Sequence, residues 1–177
     1  MQRLSGKIVL ILAICASMTV SLGRHQLFVQ AASSHSEDLF AKYSVQTSYQ
    51  GQPAPPVLTE PAARSFRTRI REGVAKGVVF ADHYELAAWG CGARCISFAI
   101  IDAVTGKVYF FPATISQGGY AGELLTYKRN SRAIHVIGSL NEQDSADRWY
   151  VWNGQKFILV SKRPAVLQDD DGSPARP

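Results

Sequence analysis

Two short strings hold the residues with the most obvious chemistry. Residues 89–95 read Trp-Gly-Cys-Gly-Ala-Arg-Cys, which sets Cys91 and Cys95 four positions apart. Just upstream, Asp82 precedes His83 in the string Phe-Ala-Asp-His-Tyr. A thiol pair offers redox exchange, a structural disulfide or half of a metal site. Redox pairs usually place two residues between their cysteines at a helix N-terminus, where the helix dipole lowers the thiol pKa. Here three residues intervene and both flanks look like strands, so no helix is available to activate a thiolate. The expectation is a disulfide between Cys91 and Cys95 across the turn Gly92-Ala93-Arg94, since Cα atoms at a hairpin mouth approach to the roughly 5.5 Å such a bond spans. A zinc site would need two further ligands, and only His83 and His135 lie in the strand region, with no spacing that joins them. Neither a metal nor another cofactor is expected.

Asp82-His83 is half of an acid–base pair, and Ser97, Ser116, Ser131 and Ser139 supply hydroxyls. Triads are recognised by geometry rather than position, so such a count decides nothing. No nucleophile elbow, phosphate-binding glycine loop or metal-binding helix motif accompanies them. A histidine beside an aspartate at a strand entrance is more often structural. No catalytic residue is therefore assigned.

The elements that must position these residues follow from periodicity. Thr59 suits an N-cap, with Glu60 and Pro61 in the first turn and Gly73 or Gly77 as the stop. Between them, Ala63, Phe66, Ile70 and Val74 share one helical face. Arg64, Arg67 and Arg71 share another, a docking candidate for a carboxylate-rich or phosphorylated partner; a solvated helix face is the simpler reading. Beyond Val78 the pattern turns to β, with strands expected at 84–89, 96–102, 107–111, 124–128, 133–139, 149–152 and 157–161. Asn153-Gly154 is a strong hairpin signal. With no helical pattern between strands, the fold expected is α+β: one N-terminal amphipathic helix packed on an antiparallel β-meander, as an open sheet or a partly closed barrel. Propeller-like hairpins occur, but about four blades of roughly 40 residues would not fit. Trp149 and Trp152 lie three apart and face opposite sides, so one of them is a candidate exposed anchor, although a core position is the simpler reading for either alone. Trp89 and Arg94 are what the pinned loop would present to a partner.

Composition sets the wider frame. At 46% hydrophobic and 19% charged residues, the chain is ordinary globular material. Its N-terminus, Met-Gln-Arg-Leu-Ser-Gly-Lys, precedes an uncharged apolar run from Ile8 to Leu22, the layout of a secretory signal peptide. Residues 1–31 are read as that signal, with cleavage after Gly23 as the alternative. The run is short for a spanning helix, so membrane attachment would come only through an uncleaved signal anchor. Cleavage after Ala31 leaves 16 basic and 14 acidic side chains, a charge of +2. That is too balanced for a nucleic-acid binder. A Ser-, Gln- and Pro-rich stretch, 32–58, is read as a disordered leader arm, 59–163 as a single α+β domain, and 164–177, with its Asp run, as a disordered tail. Export places Cys91 and Cys95 where disulfides persist.

Residues 80–112, together with 127–139 and 150–160, resemble a group of uncharacterised small exported bacterial proteins. Their shared strand pattern has the form Asn-Phe-Ala-Gly-His-Tyr, Trp-Gly-Cys-Gly-x-x-Cys, Ile-x-Asp-x-x-Thr-Gly-Lys-Val and Trp-Asn-Gly-x-x-Phe. One departure stands out: Asp82 occupies the glycine position. The resemblance implies an exported bacterial protein of this fold and no particular reaction. The function expected is a non-catalytic binding protein of the bacterial envelope, periplasmic or secreted, whose partner is another envelope protein or an anionic envelope component. The alternative is a periplasmic enzyme, either a thiol–disulfide protein through Cys91 and Cys95 or a hydrolase using His83.

Overall fold

The computed structural model describes residues 39–92, 94–118 and 122–165; the expected signal peptide and all but the start of the expected tail lie outside them. The unit from Phe40 onward is built on nine strands in one antiparallel sheet. They are β1 (Val78–Phe80), β2 (Tyr84–Gly92), β3 (Cys95–Asp102), β4 (Val108–Phe110), β5 (Ile115–Ser116), β6 (Leu125–Tyr127), β7 (Ala133–Leu140), β8 (Ser145–Trp152) and β9 (Phe157–Pro164). Two short helices, α1 (Pro61–Ser65) and α2 (Arg67–Val74), precede them. No helix among the described residues is long and apolar enough to cross a membrane.

The neighbour order is β1-β2-β3-β5-β7-β8-β9, and its two ends do not pair, so the sheet is open rather than a closed barrel. It departs from a plain meander in the middle. One edge of β3 is shared by β4, opposite Ala99–Ile101, and by β5, opposite Cys95 and Ile96. In the same way β7 is shared by β5 and β6. The two-residue β5 therefore joins two larger pieces of sheet. Those pieces curl over a common core, as ring contacts between distant strands show. Trp152 meets Tyr109 at 4.8 Å, Phe111 meets Tyr150 at 5.1 Å and Phe98 meets Phe157 at 5.7 Å.

Strand alternation splits β2 and β3 between two cores. Tyr84, Leu86, Phe98 and Ile100 point into the main one, which also holds Phe80, Ile115, Ile134, Val136 and Trp152. Ala87, Trp89, Ala99 and Ile101 point the other way, toward Ala63 and Ile70 of the helices. The helical layer is not the single helix expected. Phe66, at φ −102° and ψ 19°, leaves helical geometry and ends α1 while starting α2. Its ring stacks on Trp89 at a centroid distance of 4.6 Å, so the stripe still meets the sheet across the break. Glu60, not Thr59, is the N-cap, with Pro61 at the first helical position where its missing N–H is harmless.

The expected disordered arm needs correction over its second half. Residues 40–58 have little regular structure, yet they are held along the domain. Val45 N–H donates to Asn130 O, Ala54 N–H to Ala103 O and Val57 N–H to Gly106 O, each within 2.9 Å. Composition announces irregular backbone but not its docking, because these bonds use main-chain groups that any residue has. Neither Trp149 nor Trp152 is the exposed anchor, and both take the core position that was the simpler reading. Trp152 lies in the main core, and Trp149 is covered by Phe40, which meets it edge-on at 4.9 Å.

Candidate functional site

The β2–β3 hairpin is pinned by a disulfide between Cys91 and Cys95, whose Cα atoms are 5.2 Å apart. Cys95 is paired on both sides, opposite Gly92 of β2 and Ser116 of β5, whereas Cys91 is the residue passed over by the irregularity between Gly90 and Gly92. At the tip, Arg94 takes a left-handed conformation with φ 54°, and its carbonyl accepts the Gln117 N–H at 3.1 Å. Arg94 is exposed, as the sequence leads one to expect of a loop residue. Trp89 is not a presented residue: it is 7% exposed, wedged between Phe66 and Phe110 beneath the helices. Its strand position, not its proximity to the loop, decides its direction.

Arg64, Arg67 and Arg71 are all exposed. The break at Phe66 divides them between α1 and α2, and the first two are tied locally. Arg64 Nη2 donates to Thr59 O at 2.6 Å, and Arg67 Nη1 donates to Arg64 O at 3.3 Å. Arg69, on the other flank of the apolar stripe, pairs with Glu72 at 3.0 Å. This is a solvated helical face with partly engaged cations rather than a convergent anion cradle.

His83 sits in the turn between β1 and β2, where Ala81 and Asp82 both have positive φ, 42° and 73°. A cavity of about 310 Å³ opens beside it, lined among others by Val45, Tyr84, Arg132, Trp152 and Asn153. The carboxylates near His83 have other duties. Asp82 Oδ1 accepts the N–H groups of Ser48 (2.6 Å) and Tyr49 (2.9 Å), and thereby fastens the arm. The Tyr49 N–H, with smaller help from Ser48 and His83, holds the Asp82 carboxyl below the usual carboxylate range. Asp102 accepts from Val104 N and Thr105 Oγ1, shaping the β3–β4 turn. His83 Nδ1 is 3.4 Å from Asp82 and its Nε2 is 3.9 Å from Asp102, both longer than a good hydrogen bond. No serine lines the cavity. Ser131 is buried and engaged with Phe40 O, Tyr43 O and Ala133 N, while Ser116 and Ser139 face each other across β5 and β7. His135 bonds Asp147 at 2.8 Å and stacks on Trp149. Among the described residues no three His, Cys, Asp or Glu side chains converge as metal ligands would.

Two features escape a reading of the sequence. Glu85, on the helix-facing side of β2, has no exposed surface and no hydrogen-bond partner for either oxygen. Burial pushes its carboxyl from 4.5 up to about 7. The clue in the sequence is a lone acid within the apolar string Tyr-Glu-Leu-Ala-Ala. The second is β9. Among the described residues it is the last strand of the sheet and pairs only with β8, and it exposes Ile158, Leu159 and Val160 by 36%, 47% and 39%. Its strand pattern is plain in the sequence; its place at the edge becomes visible only with the order of strands. Comparison of the chain with protein-family models, with curated proteins and with solved structures gives no match.

Proposed function

We propose that this chain is an exported, non-catalytic binding protein of the bacterial envelope that engages another protein. The observation behind this reading is the edge strand β9, where three adjacent large apolar side chains stand exposed beside backbone that no other described strand pairs. Exposed apolar runs and open strand edges are features that monomeric proteins ordinarily suppress, and both attract partners. The periplasmic or secreted location rests on the N-terminal charge and apolar pattern and suits a disulfide-pinned hairpin. The enzymatic alternatives have less behind them. Cys91 and Cys95 close a strand-paired hairpin with no helix terminus to activate a thiol, and the carboxylates beside His83 are occupied by backbone donors.

A photo-crosslinker replacing Leu159 in the exporting cell tests the reading. The expected result is one discrete adduct with an envelope protein, absent when the crosslinker replaces exposed Val104 on the β3–β4 turn. Adducts of equal yield and identity from both positions, or none from either, would count against it.

A further inference from the structure

We infer that the outer edge of β9 accepts an extended segment of the partner as an added strand, and that this segment flanks its apolar residues with carboxylates. The inference rests on the binding-protein reading above and names the chemistry of what is bound. Strand β9 is eight residues long and, among the described residues, pairs on one side only. No backbone hydrogen bond among the described residues reaches its other side. An edge of this kind presents alternating N–H and C=O groups, and an incoming strand satisfies them.

The side chains say more about the occupant. Phe157 and Leu159 lie opposite Trp152 and Tyr150, on the core side of the sheet, while Ile158 lies opposite Val151 on the outer side. The irregularity between Trp149 and Tyr150 leaves Val160 as the extra residue of β9. A strand laid along 157–160 therefore meets apolar surface on both faces, which suits a continuous β-branched run better than an alternating one. Natural edges are commonly guarded by lysine or proline. Here Lys162 and Pro164 guard only the far end, and residues 157–161 lie outside their reach.

Charge selects among partners. Lys156 stands at one end of the apolar run, with Lys162 and Arg163 at the other. Asp144 is shared by two cations, Lys162 (2.5 Å) and Arg148 (3.1 Å), while Asp147 bonds His135 (2.8 Å) and lies opposite Arg163. This end therefore holds three cations against two carboxylates and stays net positive although Lys162 is itself paired. A second copy of this chain would bring the same basic ends along one ladder, where like charges repel. A segment with carboxylates flanking its apolar run places opposite charge at both ends.

The test uses the full exported chain and two synthetic peptides, acetyl-Asp-Glu-Val-Thr-Val-Ile-Val-Glu-Asp-amide and its counterpart with Lys at every acidic position. The acidic peptide should bind about tenfold more tightly at low salt, and the gap should close as salt rises. Its binding should slow amide exchange at residues 157–161, and N-methylation of its alternate amides should abolish binding. Val160→Lys, checked for an unchanged melting temperature, should lose the interaction, and Lys156→Glu combined with Arg163→Glu should reverse the peptide preference. Equal binding of both peptides, or binding without a change at β9, would overturn the inference. So would concentration-dependent protection of β9 without peptide, which would make a second copy the occupant. Protection that disappears when Asp169, Asp170 and Asp171 are changed to Asn would assign the edge to the chain's own C-terminus and overturn it equally. A Leu159 adduct with no peptide preference defeats this inference alone, whereas a peptide preference with no adduct in the cell defeats the envelope-partner reading.

Discussion

Glu85 carries a carboxyl with no exposed surface and no hydrogen-bond partner, raised by burial from 4.5 to about 7. Below the lower value the group is neutral in both folded and unfolded chains. Between the two values the folded chain keeps a proton that the unfolded chain has lost, so stability falls as pH rises. Above the upper value the loss is complete, at about 3 kcal/mol. Urea denaturation across this range should show the fall in the native protein and a much flatter profile in Glu85→Gln. The low Asp82 and Asp144 carboxyls act in the opposite sense and at more acidic pH, so the difference between the two proteins isolates Glu85. Cys91 and Cys95 give a second expectation at this scale. The native protein should take up thiol reagent at these positions only after reduction, and Cys91→Ser with Cys95→Ser should cost about 2 kcal/mol, the chain-entropy value for so small a loop. The pairing was legible from spacing and flanks. The position of Asp82 was legible only in outline. The resembling pattern has glycine there, and a φ of 73° explains why a glycine suits the site, but not that the carboxylate would fasten a distant arm.

Among elements, α2 packs on β2 so closely that one methyl group would disturb the contact. A methyl group added at Gly73 would stand 2.6 Å from the Ala87 Cα, so the helix lies against the strand because both positions are small. Gly73→Ala should force the layers apart and destabilise the protein by about 2 kcal/mol, despite its better helix propensity. Chemical denaturation gives the sign directly, since an exposed helical glycine would move the other way. Long strands were legible in the sequence because turn signals bound stretches rich in Val, Ile, Tyr, Phe and Trp. Strands β1 and β5 were not, since three and two residues cannot display a period. Phe66 fits the apolar spacing of one continuous helix, and only its stacking on Trp89 reveals why the backbone departs there. Asn153-Gly154 marked the last hairpin correctly, although its loop spans four residues, with Asn153 Oδ1 accepting the Gln155 and Lys156 N–H groups.

For the whole molecule, the arm matters as much as the sheet. Phe40 is 5% exposed and closes the outer face of β8 over Trp149, while Ser131 bonds the arm's backbone from beneath. Phe40→Ala should therefore cost about 3 kcal/mol, the usual size of such a core truncation, and shift Trp149 emission to longer wavelength. An unchanged midpoint in urea would show that the arm is only laid on the surface. Sequence periodicity cannot report this contact, because the partners are separated by about a hundred positions and the arm itself has no period. The same reasoning explains why the candidate interaction surface moved from the WGCGARC loop to β9. Loop residues can be recognised one at a time, whereas an edge is a property of the order in which strands assemble.

The docking of Phe40 also sets a timetable. Its hydrogen-bond and ring partners, Ser131 and Trp149, belong to the last third of the chain, so Phe40 waits for nearly the last strands before its surface is closed. Contacts of such long sequence separation slow folding. A chain emerging N-terminus first, from a ribosome or through a translocation pore, would remain threadable until β7 and β8 had appeared. For a protein read as exported, late closure keeps the chain passable for most of its journey and completes the fold on the far side.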